Sequence, residues 1–330
     1  MNPSCSIVIR AYNEEKNIKK LFNGIKKQSL QNVQIILVDS GSKDNTPKIA
    51  KEYGAEILTI SPSDFTFGRS LNIGLEKCLA PYAVIASAHI FPVYPDWLEK
   101  IIEPFQDNKI GLVFGKQRGA EDSQFSEKQV FYQWYPEKPY ISKNHPFCNN
   151  ANAAIRVDLW KKYPYDENLP ALEDLAWAKR IIEEGYQIAY SPEAEIIHVH
   201  NETWRGIYNR YRREGMAFKQ IYPQEEFPFS EFLHLLLNNI WNDFGMARRQ
   251  KILMKECIHI LLFRYNQFWG TYKGYRRSGP LTWQLKKSFY YPRNGKESLF
   301  NFENRREIQP ISYEAESKNI NKTRSENVIK

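Results

Sequence analysis

The sequence predicts an α/β protein, a doubly wound and mostly parallel Rossmann-like sheet followed by a helical, basic C-terminal extension. Three observations lead there. Through the first half, short apolar runs alternate with stretches of helical spacing, the βαβα order that builds a parallel sheet. The runs are nearly continuous in Ile, Leu and Val, as at 34–38, which suits strands covered on both faces. The charge is uneven: residues 1–203 carry 23 Lys/Arg against 26 Asp/Glu, and residues 204–310 carry 19 against 9.

Taken in order, 5–10 reads as a strand and 15–28 as a helix with Ile18, Leu21, Phe22 and Ile25 on one face. Residues 34–38 form a second strand, and 43–53 a helix opened by a Ser/Asp-rich turn. Strand 55–60, helix 68–78, strand 82–86, helix 96–105 and strand 110–115 follow. From 116 to 150 the pattern breaks: Tyr, Trp, Pro and Asn crowd together, and the spacing predicts a long irregular segment of the kind that usually serves function. A strand at 153–156, a helix at 172–184 and two strand pieces, 187–190 and 196–200, complete the α/β part. The domain reading is 1–222 for the α/β unit, 223–312 for the extension and 313–330 for a polar, disordered tail.

Hydrophobic content of 42% and charged content of 25% are ordinary for a soluble globular chain. Cys5, Cys78, Cys148 and Cys257 form no C-x-x-C pair, which argues against a cysteine metal cluster and fits a reducing compartment. The first apolar run, Ile7-Val8-Ile9, is shorter than a secretory signal requires. The longest uncharged apolar-rich stretch in the C-terminal part, 232–242, is about half the ~20 residues a bilayer needs. The expectation is a cytoplasmic chain, free or peripheral on the inner face of the cytoplasmic membrane.

Open parallel sheets bind ligands beyond the carboxyl ends of their strands. Three polar tips fall there: Arg10-Ala11-Tyr12-Asn13-Glu14-Glu15, Asp39-Ser40-Gly41-Ser42-Lys43-Asp44-Asn45-Thr46, and Ser87-Ala88-His89. No glycine follows the first strand, which excludes the dinucleotide fingerprint, and a P-loop is absent too.

The stretches "SIVIRAYNEEKNI", "IILVDSGSKDNT", "FGRSLNIGLEKC", "LEDLAWAKRIIEEGYQIAYSPEAEIIHVH" and "YNRYRREGMAF", in this order, resemble family 2 glycosyltransferases with the GT-A fold. The likeness is closest to the bacterial rhamnosyltransferase-like branch and covers about residues 4–222. It implies an inverting enzyme moving a sugar from a nucleotide-diphospho-sugar to a hydroxyl of a glycan or lipid-linked acceptor in surface-polysaccharide assembly. By the same resemblance Asp39 binds the base, while Ala11, Asn13, Glu14, Ser40, Ser87 and Ala88 line the nucleotide pocket. Arg69 and Asn72 lie one helical turn apart, and an Arg fork suits a diphosphate. Glu173 and Asp174 match the acidic pair whose aspartate is the catalytic base, the group an acceptor hydroxyl needs. Trp134, Asn150, Asn152 and Trp177 fall where the acceptor binds. Capping serves as the plainer reading of Asp39, Asn13, Glu14 and Glu173.

At the third tip the family expects Asp-x-Asp holding a divalent cation, and this chain has Ser87 and His89. His198 and His200 are two apart in a strand-like piece, so both imidazoles face one side. The candidate metal ligands are therefore His89, His198 and His200, and imidazole favours Mn²⁺ over Mg²⁺. Metal-free catalysis, with Arg69 and Arg212 or Arg213 carrying the leaving diphosphate, stays open. So do two readings of another class: a metallohydrolase built on the three histidines and Asp174, and an inactive sugar-nucleotide-binding protein.

The extension shows two apolar stripes, Leu233, Leu236, Leu237, Ile240, Trp241 and Phe244, then Met254, Cys257, Ile258, Leu261, Leu262, Tyr265, Phe268 and Trp269. Arg248, Arg249, Lys251, Arg264, Lys273, Arg276, Arg277, Lys286 and Lys287 decorate them. No nucleic-acid-binding module accompanies this charge. An anionic membrane surface fits Lys/Arg mixed with Trp and Tyr, and so does simple packing on the α/β unit.

Overall fold

The computed structural model describes residues 3–200, 202–276 and 308–313. The expected alternation opens it: β1 (Cys5–Ala11), α1 (Glu15–Lys26), β2 (Val33–Asp39), α2 (Thr46–Glu52), β3 (Glu56–Thr59), α3 (Phe67–Glu76) and β4 (Tyr82–Ser87). β3, β2, β1 and β4 are parallel neighbours, with Ala11 opposite Asp39 and Arg10 opposite Ser87. Their carboxyl ends therefore share one edge. The continuous apolar runs are explained by burial on both faces. Ile7 and Ile9 pack in one layer with Ile18, Leu21 and Phe22 of α1. Val8 packs in the other with Leu71 and Leu75 of α3. Each such fully buried side chain stabilises the fold by ~1.5–3 kcal/mol.

The second half contains β5 (Ile90–Pro92), α4 (Trp97–Ile102), β6 (Ile110–Gly119), α5 (Phe125–Trp134), β7 (Tyr140–Ser142), β8 (Asn152–Arg156), α6 (Val157–Lys162), α7 (Glu173–Glu183) and β9 (Gln187–His198). The sheet order is β3-β2-β1-β4-β8-β6-β9-β5, with β7 also on β9. β8 is antiparallel to both β4 and β6, β9 is parallel to β6, and β5 and β7 run antiparallel to β9. The mostly parallel α/β sheet stands, with these antiparallel members added.

Residues 116–150 are more regular than expected, because β6 continues to Gly119 and α5 and β7 follow. The buried side of α5 mixes Ser126 and Glu127 with Phe125, Val130 and Phe131, so it leaves no clean helical stripe in the sequence. The two strand pieces at 187–200 are one strand, β9, ending at His198. Pro192 falls at a register shift against β6, where a proline does not break the ladder. His200 lies beyond the strand.

Three helices follow, α8 (Trp204–Ile221), α9 (Phe229–Arg249) and α10 (Leu253–Tyr275), the last two in the expected extension. α8 lies before the expected boundary at 222 yet packs along α10. A Cβ at Gly270 or Gly274 would collide with the carbonyl oxygens of Tyr208 and Arg212, so the two backbones touch. Arg264 is not a surface decoration: it is buried, and its Nε and Nη2 donate to the Asp243 carboxylate at 2.8 and 2.9 Å. Phe232 and Ala247 of α9 and Ile260 and Phe263 of α10 are buried, whereas Leu237, Trp241, Met254 and Ile258 of the expected stripes are exposed. Arg277, Lys286, Lys287 and the tail 314–330 lie outside the described residues. Residues 308–313 return to the α/β unit, where Ile311 N donates to Val93 O at 2.8 Å and the Tyr313 ring lies 5.1 Å from that of Phe91. No described helix is long and apolar enough to cross a membrane.

Candidate active site

The first two strand-end loops are laced together. Asn13 takes a left-handed backbone, φ 54°, which Asn tolerates. Its N–H donates to Ser42 Oγ and its Oδ1 accepts from Lys43 N, both at 2.8 Å, while Glu14 N donates to Thr46 Oγ1 at 2.8 Å. These bonds hold Asn13 in the loop framework. Asp39 ends β2 and is buried. Its Oδ2 accepts from Gly41 N and Ser42 N at 3.1 and 3.0 Å, and Gly41 supplies the positive φ of that turn. Its Oδ1 is buried without a partner among the described residues. A buried carboxylate oxygen with no donor is costly unless a ligand supplies one. Ser40 N donates to Ala11 O at 3.0 Å, tying these two expected pocket residues to each other.

On α3, Arg69 is exposed beside the Thr66 cap, available to a ligand. Asn72 is not. Its Nδ2 donates to Tyr165 O and Glu167 Oε1, and its Oδ1 accepts from Trp160 Nε1 and Tyr165 N, all at 2.9–3.0 Å. Its amide capacity is spent holding the 160–167 segment, which corrects its expected place at the nucleotide.

α7 begins after Leu172, whose left-handed backbone (φ 55°) costs an ordinary L-residue ~1–2 kcal/mol. Such strain clusters at functional sites. Glu173 and Asp174 follow, both buried. Arg10 of β1, which opens the first polar tip, donates from Nη1 to Glu173 Oε1 at 2.9 Å, a partner the sequence did not indicate. Asn150 N donates to Asp174 Oδ2 at 3.0 Å and Leu175 N to Oδ1 at 2.8 Å; Asn150 Nδ2 reaches Glu173 Oε1 at 3.3 Å. Burial, and then the charge of Glu173, raise the Asp174 pKa to about 7, against the lowering effect of these N–H donors and Arg10. Asn150, expected at the acceptor, thus donates to both members of the acidic pair. Asn152 and Trp177, expected at the acceptor, are core residues. Asn152 is fully buried, bonded to Trp97 Nε1, Lys116 O and Ala194 O, and the Trp177 indole donates to Tyr163 O at 2.6 Å. Trp134 is exposed, with its ring edge-on to Phe147.

Beyond Ser87 and the buried Ala88, the three histidines meet. The His89 ring is 5.0 Å from that of His198 and 5.8 Å from that of His200, and His198 and His200 are 4.0 Å apart. One ring nitrogen from each lies within 4.8 Å of the others. Each Nδ1 is engaged by a side-chain oxygen: His89 by Glu14 Oε1 at 2.7 Å, His198 by Gln117 Oε1 at 2.9 Å, His200 by Glu127 Oε1 at 2.7 Å. This leaves Nε2 as the ring nitrogen for a ligand, and that of His198 is buried without a partner among the described residues. An imidazole tied at one nitrogen by a carboxylate or amide is the arrangement that orients metal ligands, so the residues fit a divalent cation. Glu14 and Glu127 place negative charge directly behind two of the imidazoles. Burial opposes a charge on Glu127, but His200 and Arg210 outweigh it and hold its pKa at about 2. Burial, with His200 and His89 adding, pushes the His198 pKa well below its usual value and keeps it neutral. Gln117, Glu127 and Arg210 escaped the sequence reading; only Arg210 stood within a quoted motif.

Interlaced polar loops at the carboxyl edge of a mostly parallel sheet, with a buried acidic pair and a histidine cluster, are the frame on which the GT-A architecture is recognised. The family model described as glycosyl transferase family 2 matches residues 6–163. The O-antigen chain rhamnosyltransferase WbaN of Salmonella anatum is 30% identical over 226 residues, 65% of this chain and 72% of that protein. RfbN of Salmonella typhimurium, of the same description, is 27% identical over 227 residues, 64% and 71%. Among solved structures, the mannosyltransferase PcManGT from Pyrobaculum calidifontis, in complex with GDP-Man and Mn²⁺, superposes with a TM-score of 0.55 at 18% identity, over 83% of this chain and 85% of that one. The chain belongs to glycosyl transferase family 2, on its rhamnosyltransferase-like branch, and is a glycosyltransferase.

Proposed function

We propose that this protein is an inverting glycosyltransferase that takes a sugar from a nucleotide-diphospho-sugar and joins it to a hydroxyl of a glycan, carried on a lipid at the cytoplasmic face of a membrane, in surface-polysaccharide assembly. The observation that carries this reading is Asp174: a buried carboxylate beside Glu173 and Arg10, with a pKa raised to about 7 by burial and by Glu173. A base with a pKa near the working pH is the effective one. The acceptor O–H proton passes to the Asp174 carboxylate. The hydroxyl oxygen attacks the anomeric carbon from the face opposite the diphosphate, and the anomeric C–O bond breaks with its electron pair leaving on the nucleoside diphosphate.

Asp39 Oδ1 accepts from the base ring N–H, and Arg69 is placed for the diphosphate. Ala11, Asn13, Ser40, Ser87 and Ala88 frame the nucleotide; Glu14 acts through His89. His89, His198 and His200 would hold a divalent cation, Mn²⁺ rather than Mg²⁺, which supplies positive charge to the leaving diphosphate. Trp134 offers an aromatic face to an acceptor sugar.

The test is incubation with a panel of nucleotide sugars, with and without lipid-linked glycan acceptors. Release of nucleoside diphosphate matched by a glycosylated product of inverted anomeric configuration is expected. Release at the same rate without acceptor would make the protein a hydrolase. Binding without release would make it a sugar-nucleotide-binding protein.

A further inference from the structure

The α9–α10 hairpin exposes apolar side chains that nothing described in the chain covers. Leu237 and Trp241 are 63% and 77% exposed on α9, and Met254 and Ile258 are 90% and 65% exposed on α10. In each pair the residues are four apart, one helical turn, so they form stripes. The opposite sides of the helices are occupied, with Arg264 on Asp243 and Gly270 and Gly274 against α8. The stripes are therefore left over after packing. Four cations surround the tip, Arg248, Arg249, Lys251 and Lys255, all exposed. The acidic residues between 237 and 265 are Asp243, buried on Arg264, and Glu256, half-buried within reach of Lys255 and His259.

The turn itself carries a second sign. Lys251 N donates to Arg248 O at 3.0 Å and Ile252 N to Ala247 O at 2.9 Å, the pair of bonds that closes a helix through a left-handed residue. That residue is Lys251, φ 60°, at a position where glycine is preferred. A lysine kept in a backbone that disfavours it puts a charge at the outermost point of the hairpin.

We propose that the α9–α10 tip is the surface by which this protein docks on an anionic phospholipid membrane, with Trp241, Met254 and Ile258 entering the headgroup boundary and the four cations meeting lipid phosphate. The inference rests on the membrane-borne acceptor proposed above. Charge selects the occupant. A second copy would bring the same four cations against them. The chain from 277 to 307 is also basic, with seven Lys/Arg against three Asp/Glu, and does not complement the tip. Lys and Arg beside an apolar helix face with Trp is the composition that binds anionic interfaces.

The experiment is co-sedimentation of the full chain with phosphatidylcholine vesicles and with vesicles containing phosphatidylglycerol. Binding is expected on the anionic vesicles, falling with salt. Lys251→Gly should weaken it about five-fold while raising the thermal midpoint, because glycine relieves the turn. Arg248→Gln with Arg249→Gln and Lys251→Gly should weaken it roughly 100-fold. Ile258→Asp should weaken it as well. Transfer to a lipid-free soluble acceptor should stay within about two-fold in all these variants, since none lies at the active site described above, so failure of the proposed reaction and failure of docking are read separately. No binding to anionic vesicles, or binding that these variants leave intact, overturns the proposal. Dimerisation abolished by Ile258→Asp, without vesicle binding, assigns the face to a second copy instead.

Discussion

The imidazole Nδ1 of His89 and the Oε1 of Glu14 are 2.7 Å apart, although 75 residues separate them. Gln117 and Glu127 serve His198 and His200 in the same way. Two of the three imidazoles thus have a carboxylate behind them and the third an amide oxygen.

Glu127→Gln should lower Mn²⁺ affinity about 10- to 100-fold, the usual effect of losing an orienting carboxylate. Titration calorimetry on the nucleotide-free protein measures it. An unchanged affinity would take Glu127, and the orienting role, out of the site.

Asp174→Asn should cut turnover by roughly 10²–10⁴ and leave nucleotide affinity near wild type, because the amide keeps the shape and loses the base. In the wild type the rate should climb with pH through about 7 and then level, since the pKa is raised and only the deprotonated carboxylate accepts a proton. A rate flat from pH 5 to 8, with chemistry limiting, would falsify the assignment of the base.

Much of this site was legible because strand ends are legible. β1 and β2 carry runs of Ile, Leu and Val and β4 an apolar Ala-Val-Ile-Ala, and the polar residues that follow them fall together on one edge. What the sequence hid was direction. Asn72, Asn152 and Trp177 are placed near the site along the chain, yet each turns inward to bond the framework. Arg10 stood in the first polar tip, but its partner could not be read there, because the contact spans 163 residues. In α10 the helical period was readable but the buried side was not. That side is built from Arg264, Gln267 and glycines as well as Ile260 and Phe263, and periodicity assigns polar residues to solvent.

Asp39→Ala should weaken nucleotide binding by roughly 1.5–3 kcal/mol, the worth of a hydrogen bond to a charged group. The loop bonds to Gly41 and Ser42 are lost as well, so affinity should be compared with Asp39→Asn, which keeps an acceptor. Calorimetry showing equal affinity in all three proteins would place the base elsewhere.

Arg10→Met should move the rising limb of the pH–rate profile upward by about one pH unit. The sign follows from charge. Arg10 lowers the Asp174 pKa and pairs with Glu173, so its removal leaves two acids facing each other with less cation to offset them. A limb that stays in place, with turnover reduced at every pH, would mean that Arg10 acts only by holding Glu173.

Arg264→Ala should destabilise the protein by about 3–5 kcal/mol, because it strands the buried Asp243 carboxylate without its partner. Arg264 also donates to Gln267 Oε1 at 2.8 Å, within α10. Replacing both partners, Asp243→Leu with Arg264→Met, should recover most of the loss, since the penalty lies in an uncompensated charge rather than in the missing bond. Urea denaturation of the single and double variants measures this. The pair lies between α9 and α10, with Arg264 Nη2 also 3.5 Å from Ser126 O on α5, so stability is the readout. A double variant as unstable as the single would show that the pair specifies how α9 packs on α10 and does more than neutralise itself.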